Sequence, residues 1–199
     1  MTNSMEEREE ERGDIDYSIP IREGINVTID GRKVTVSGPK GELTRALWYP
    51  GIHLAVAETG DGPAVVIKSK SSRKDIKAIA GTYRSHINNM MIGTTEGFFY
   101  KVKVLHAHFP MQVAISKDGN SISISNFLGE RKPRVAKIIE GVTVAIQDKG
   151  AAIVISGIDK EAVGQTTANI EQTTKIKGYD PLVFQDGIYL VEKGIGAGS

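Results

Sequence analysis

Apolar and polar positions alternate in short runs along most of this chain. Val113, Ile115, Ile122 and Ile124 are separated by small or polar residues, the period-2 pattern of strands buried on one face. Asp118-Gly119-Asn120 lies between the two runs and supplies turn chemistry, which predicts a β-hairpin. Ile25, Val27 and Ile29, followed by Val34 and Val36 across Asp30-Gly31, predict a similar hairpin upstream. Further strands are expected over 42–48, 52–57, 64–68, 98–105, 109–115, 142–146 and 152–156, with a turn at 60–63.

Two stretches lengthen the period to that of a helix. Ile76, Ile79, Ala80, Tyr83, Ile87 and Met90 form one stripe, with Ser72 as N-cap and Gly93 as stop. Gly81 lies inside this helix at a cost of about 1 kcal/mol relative to Ala, so close packing is expected there. Asp159 is a good N-cap for a second helix, with Ala162, Val163, Thr166 and Ile170 facing inward.

The elements recur in order. The second set trails the first by 86 residues at the hairpins (Val27 to Val113), 90 at the Gly-led strands (Gly51 to Gly141) and 88 at the last strands (Val65 to Ile153). Chance likeness between short alternating strands is the bland explanation, but retained order favours duplication. The expected fold is α+β: two tandem, similar domains, each an antiparallel sheet packed against one main helix. The expected boundaries are an acidic disordered tail over 1–16, a first domain over 17–96, a second over 97–174 and an extended C-terminal arm over 175–199. The segment 93–97 reads as the linker, and the final GIGAGS as a flexible end.

Composition narrows the chemistry. The chain has 199 residues, no cysteine and a net charge of +1. Disulfides and thiolate metal sites are excluded. No apolar run approaches the roughly 18 residues of a membrane span, and an acidic N-terminus is the wrong start for a signal peptide, so a soluble, cytoplasmic protein is expected. The small net charge hides an asymmetry: residues 1–16 carry −5 and the remainder +6. A mildly basic body suits an anionic partner.

Catalytic patterns are missing. There is no His-Glu-x-x-His, Gly-x-Ser-x-Gly or Walker loop, and no carboxylate pair stands out as an acid/base couple. Gly194-x-Gly196-x-Gly198 has no helix after it and is no dinucleotide fingerprint. His106-x-His108 would put two rings on one face of a strand, but lacks an obvious third ligand, so packing or hydrogen bonding is the simpler role. No enzyme activity, cofactor, metal or small-molecule substrate is expected.

Basic groups on loops remain. Arg131, Lys132, Arg134 and Lys137 follow closely on Asn126 and Phe127. Lys175 and Lys177 head the arm, interleaved with Tyr179, Phe184 and Tyr189. Such cations neutralise phosphates, and aromatics stack on unpaired bases. A solvated loop and an arm whose aromatics pack on the sheet is an equally open reading at this point. The run Lys68, Lys70, Arg73, Lys74 and Lys77 reads as a solvated face.

A resemblance then joins these features. The chain resembles the ribosomal protein L-six family of the large subunit. Carrying it are Ile19-Pro20 with Gly24-Ile25-Asn26-Val27, the run from Val34 to Leu43, Met90 to Phe98, and Asn126 to Arg131. The segment Phe184 to Tyr189 is similar to the archaeal and eukaryotic branch, departing from the bacterial Pro-Tyr-Lys-Gly-Lys-Gly run. The tail 1–16 lies outside the resemblance.

The resemblance implies two related α+β domains and an assembly role. It implies binding to large-subunit rRNA near the sarcin–ricin region and the factor-binding centre, with ribosomal proteins near the stalk base as neighbours. Carried over by position, it points to Asn126, Phe127, Arg131, Lys132, Arg134, Lys175, Lys177 and Tyr179 as RNA contacts, to which the basic cluster adds Lys137. The competing class is a non-ribosomal protein–protein adaptor that pairs through sheet edges and the C-terminal arm.

Overall fold

A computed structural model describes residues 15–60, 62–71, 73–180 and 182–196. The expected tail up to residue 14, the Ser72 cap, Asp61 of the expected turn, Pro181 and the last three residues lie outside the described residues. The chain divides into two compact units that part between Thr95 and Glu96.

The first unit runs β1 (Ile15–Pro20), β2 (Asn26–Asp30), β3 (Lys33–Gly38), β4 (Gly41–Ala46), β5 (His53–Thr59), β6 (Gly62–Ser69) and helix α1 (Lys74–Thr95). The second repeats this order with β7 (Phe98–Leu105), β8 (Gln112–Ile115), β9 (Ser121–Ser125), β10 (Arg134–Lys137), β11 (Val142–Gln147), β12 (Ala152–Gly157) and α2 (Lys160–Thr173). It then adds one strand, β13 (Gly187–Ile195). Both units contain a three-stranded meander, β2-β3-β4 and β8-β9-β10. Both contain a second antiparallel sheet, β1-β6-β5 in the first and β11-β12-β7-β13 in the second. The tandem α+β architecture is the expected one, and β13 is the asymmetry.

Each core follows from the alternation. Val27, Val34, Val36, Val65 and Ile67 turn inward in the first unit and meet Ala80, Tyr83, Ile87 and Met91 of α1. In the second, Ile122, Ile124, Val102, Ile153 and Ile155 meet Val163 and Ile170 of α2. Burying such a side chain contributes about 1.5–3 kcal/mol, which makes these stripes the main restraint on register. The central hairpin pairs as its pattern requires, Val113 opposite Ile124 and Ile115 opposite Ile122.

Several expectations need correction. The first strand begins inside the expected tail, at Ile15, which pairs with Ser69 and is 6 % exposed. Gly93 does not stop α1: it is buried within the helix, which continues to Thr95. The turn out of the helix comes at Gly97, whose φ of +79° suits a residue without Cβ. Gly81 is not closely packed, since a Cβ there would meet nothing within 4 Å. The strand expected from Phe109 starts only at Gln112.

The largest differences fall in the second unit. Arg134 and Lys137 are not on a loop but on β10, which pairs with β9. The expected arm is also partly sheet. Gly187 to Ile195 runs antiparallel to β7, with Ile188 opposite Val104 and buried. Ile188 and Leu190 alternate with exposed Tyr189 and Val191, so the segment has an apolar side to bury and joins the nearest open edge.

Candidate nucleic-acid interface

The turn after β9 is shaped by backbone conformations that L residues adopt rarely. Asn126 and Leu128 have φ of 60° and 49°. The Asn126 side chain donates to the Pro110 carbonyl at 2.9 Å, pinning the turn to the segment before β8. Phe127 between them is 1 % exposed and sits in the second core. Its ring therefore offers no face to a base, and Asn126 holds the loop rather than projecting from it.

Arg134 is the centre of the support. Its Nε donates to Glu130 Oε2 at 2.8 Å and its Nη2 to Glu130 Oε1 at 2.6 Å, a bidentate fork. Its Nη1 donates to the carbonyls of Thr173 at 2.8 Å and Lys175 at 3.1 Å, just where α2 ends. Its guanidinium lies 4.2 Å from the centre of the Phe127 ring. Helix C-termini leave carbonyls without intrahelical donors, and a cation there also meets the negative end of the helix dipole. Hydrogen bonding to Arg134 holds the Glu130 carboxyl below its usual range, against a smaller upward push from burial. Four of its five N–H donors are engaged in this way, so Arg134 acts as a bracket within the unit.

The bracket joins two basic segments that are distant in sequence. Arg131 and Lys132 lie on the exposed loop between Glu130 and Arg134. Lys175 and Lys177 lie on the exposed exit from α2, whose backbone Arg134 holds. Arg131, Lys132, Lys175 and Lys177 have no side-chain ion pair or hydrogen bond among the described residues. Lys137 is also exposed, on β10, where its carbonyl accepts from Asn169 of α2 at 3.0 Å.

An aromatic stack stands beyond Lys177. Tyr179 is 51 % exposed and its ring centre lies 4.8 Å from that of Phe184. Phe184 in turn lies 4.5 Å from the ring of His108. Asp186 anchors the stack from beneath: its Oδ2 meets His108 Nδ1 at 2.6 Å, and its Oδ1 accepts from the backbone N–H groups of Ala107 and His108 at 2.6 and 3.1 Å. Asp186 is 1 % exposed. Burial pushes its carboxyl up, but the hydrogen bonds from His108 and the two backbone amides outweigh that and hold it below the usual range.

Sequence reasoning missed Glu130 and Asp186 as working parts, while His108 takes the packing and hydrogen-bonding role expected of it. The signal for Glu130 was its place four residues before Arg134. Asp186 had none, because its partners lie 78 and 79 positions away. No group of three His, Cys, Asp or Glu among the described residues is placed to hold a metal ion.

Comparison with known proteins places the chain in a family. The family model described as ribosomal protein L6 matches twice, over residues 21–97 and 109–187, one match in each unit. The chain is 51 % identical to large ribosomal subunit protein uL6 of Methanosarcina mazei over 180 residues, covering 90 % of this chain and 98 % of that protein. It is 50 % identical to the uL6 protein of Methanothrix thermoacetophila, covering 88 % of this chain and 95 % of the relative. It is 49 % identical to that of Methanobrevibacter smithii, covering 88 % and 94 %. These relatives are named as ribosomal proteins and not as enzymes. Matched in both units and nearly end to end with these relatives, the chain belongs to the ribosomal protein L6 family.

Proposed function

We propose that this chain is a structural constituent of the large ribosomal subunit and works in the cytoplasm, on the ribosome. It binds large-subunit rRNA near the sarcin–ricin region and the factor-binding centre, beside ribosomal proteins of the stalk base. The observation that supports the RNA reading is the Arg134 bracket. It sets Arg131 and Lys132 on one side and Lys175 and Lys177 on the other, with Tyr179 further along the same exit. Four cations on rigid supports bind phosphates without first losing much backbone freedom, and Tyr179 adds a stacking face. Asn126, Phe127 and Arg134 then act through the loop rather than by touching RNA. Lys137 extends the basic surface along β10.

The test is binding of the full chain to an rRNA fragment carrying the sarcin–ricin region, titrated at several salt concentrations. Tight, salt-sensitive binding that weakens on Arg131→Ala and Lys132→Ala is the expected result. Affinity no greater than for an unrelated RNA of equal length would sink the reading and leave the adaptor alternative.

A further inference from the structure

The two copies differ at one sheet edge. In the second unit β7 is paired on both sides, by β12 and by β13. In the first, among the described residues, β1 is paired only by β6. The strands correspond residue by residue. Tyr17 faces Ile67 as Tyr100 faces Ile155, and Ile19 faces Val65 as Val102 faces Ile153. The orientation of the backbone corresponds too. Ile21 N–H donates to Pro63 O at 2.9 Å, and Val104 N–H donates to Ala151 O at 2.9 Å. Alternation then turns the backbone groups of Asp16, Ser18 and Pro20 to the open side, as it turns those of Phe99, Lys101 and Lys103 toward β13.

The helices correspond as well. The inward residues Ile76, Ile79, Ala80, Tyr83 and Ile87 of α1 match Val163, Thr166, Thr167, Ile170 and Thr174 at a constant offset of 87. At that offset Arg84 matches Glu171. In the second unit Glu171 Oε1 accepts from the Leu190 N–H of β13 at 2.8 Å, so it is the helix side chain that holds the added strand. In the first unit the matching position carries a donor of opposite charge. Arg84 is exposed, lies 5.7 Å from the centre of the Tyr17 ring and has no carboxylate partner among the described residues. Beside β1 runs a groove of about 430 Å³, bounded by Tyr17, Pro20, Gly81, Arg84, Ser85 and Asn88. The open space over Gly81 is part of it.

We propose that the free edge of β1 receives an extended segment of a neighbouring polypeptide, antiparallel to β1, with an acidic side chain opposite Tyr17 that pairs with Arg84. The second unit supplies the template: β13 occupies the matching place, with Lys193 opposite Tyr100 and Leu190 opposite Val102. Pro20 has no N–H to donate and ends the ladder at one side, so the site takes a short strand centred on Ser18. Main-chain pairing supplies affinity and Arg84 supplies the preference for an acid. This surface belongs to the first unit, and the proposed rRNA contacts all belong to the second.

The probe is a synthetic peptide copying residues 186–195 with Lys193→Glu, titrated into the full chain while backbone amides are followed by NMR. Binding should shift the amides of Asp16 and Ser18. Ser18→Pro removes an open-edge donor without touching the β6 ladder, and should weaken binding up to about tenfold. Arg84→Glu should weaken the Lys193→Glu peptide about threefold and strengthen the unsubstituted Lys193 peptide by a similar factor, a reversal that loss of folding would not mimic. The proposal is overturned if neither peptide moves these amides, or if Arg84→Glu leaves the order of the two peptides unchanged. It is also overturned if the Asp16 and Ser18 amides of the free chain are already protected from exchange, which would mean that the chain covers its own edge. Movement of the same amides by a single-stranded oligouridine but not by peptide would overturn it in favour of nucleic acid.

Discussion

Arg134 and Lys175 are joined by one hydrogen bond across 41 positions of chain, from the guanidinium Nη1 to the carbonyl oxygen at 3.1 Å. Through this bond and its neighbour to Thr173, a residue that reads as one more loop cation becomes the part that aligns the others. Position and charge separate on substitution, which makes the arrangement testable.

Arg134→Lys keeps the charge but removes the fork and the two carbonyl bonds. rRNA affinity should fall severalfold while the slope of log affinity against log salt stays the same. Arg131→Ala or Lys132→Ala should instead lower that slope by about one for each phosphate left without its cation. Salt titration of the three variants checks the division. An rRNA affinity unchanged by Arg134→Lys would show that the fork and the carbonyl bonds do not align the other cations.

Phe127→Ala and Tyr179→Ala should fail in opposite assays. Phe127 is a core residue, and its truncation should cost about 3–5 kcal/mol of stability. Tyr179 is half exposed, so its truncation should change stability by no more than about 0.5 kcal/mol. If Tyr179 stacks on a base, its loss should cost about 1–3 kcal/mol in rRNA binding. Denaturant unfolding and RNA titration of both variants give the comparison.

Asp186 should make the second unit sensitive to acid. Its carboxyl is held below the usual range, so the unfolded chain takes up the proton more readily than the folded one. The stabilisation is complete above the ordinary carboxylate value of about 4 and is lost as pH falls through the lowered folded value. Asp186→Asn should lower stability by about 1.5–3 kcal/mol at neutral pH and flatten the acid limb. Urea unfolding between pH 2 and pH 7, on wild type and variant, reads both effects. An acid limb of the same steepness in both proteins would contradict the assignment.

Gly38→Ala should destabilise the first unit. A Cβ at Gly38 would lie 2.8 Å from the Thr94 carbonyl oxygen, close to where Lys40 N–H bonds that same oxygen at 2.9 Å. Neither group has a flexible end to move aside. The expected cost is about 1–3 kcal/mol, measurable by thermal unfolding.

Legibility divided along physical lines. The hairpin at Val113 to Ile124 and the cap at Asp159 were readable, because a period-2 pattern and a capping oxygen act over a few residues. Asp159 indeed accepts from Glu161 N–H at 2.9 Å. Gly93 misled, because a buried glycine inside a helix and a terminating one look alike until packing is known. β10 was missed because only Ala136 of its four residues is buried, too little to show alternation between the basic residues Arg134 and Lys137. At the proposed RNA surface, charge marked Arg131, Lys132, Lys175 and Lys177; the local sign that set Arg134 apart was Glu130 four residues before it, while its other partners come from the end of α2. The carboxylate beneath His108 was invisible because its partners are distant in sequence.

The extra strand also sets a timetable for synthesis. Among the described residues, every strand that pairs within the first unit's own sheets has been made by Thr95, so that unit is able to close while translation continues. β7 is made immediately afterwards, yet one of its two neighbours is β13, which emerges only after the whole of α2. Loop-closure entropy delays such a distant pairing further. Until β13 has been made, the apolar side that Ile188 covers in the folded second unit has no strand over it.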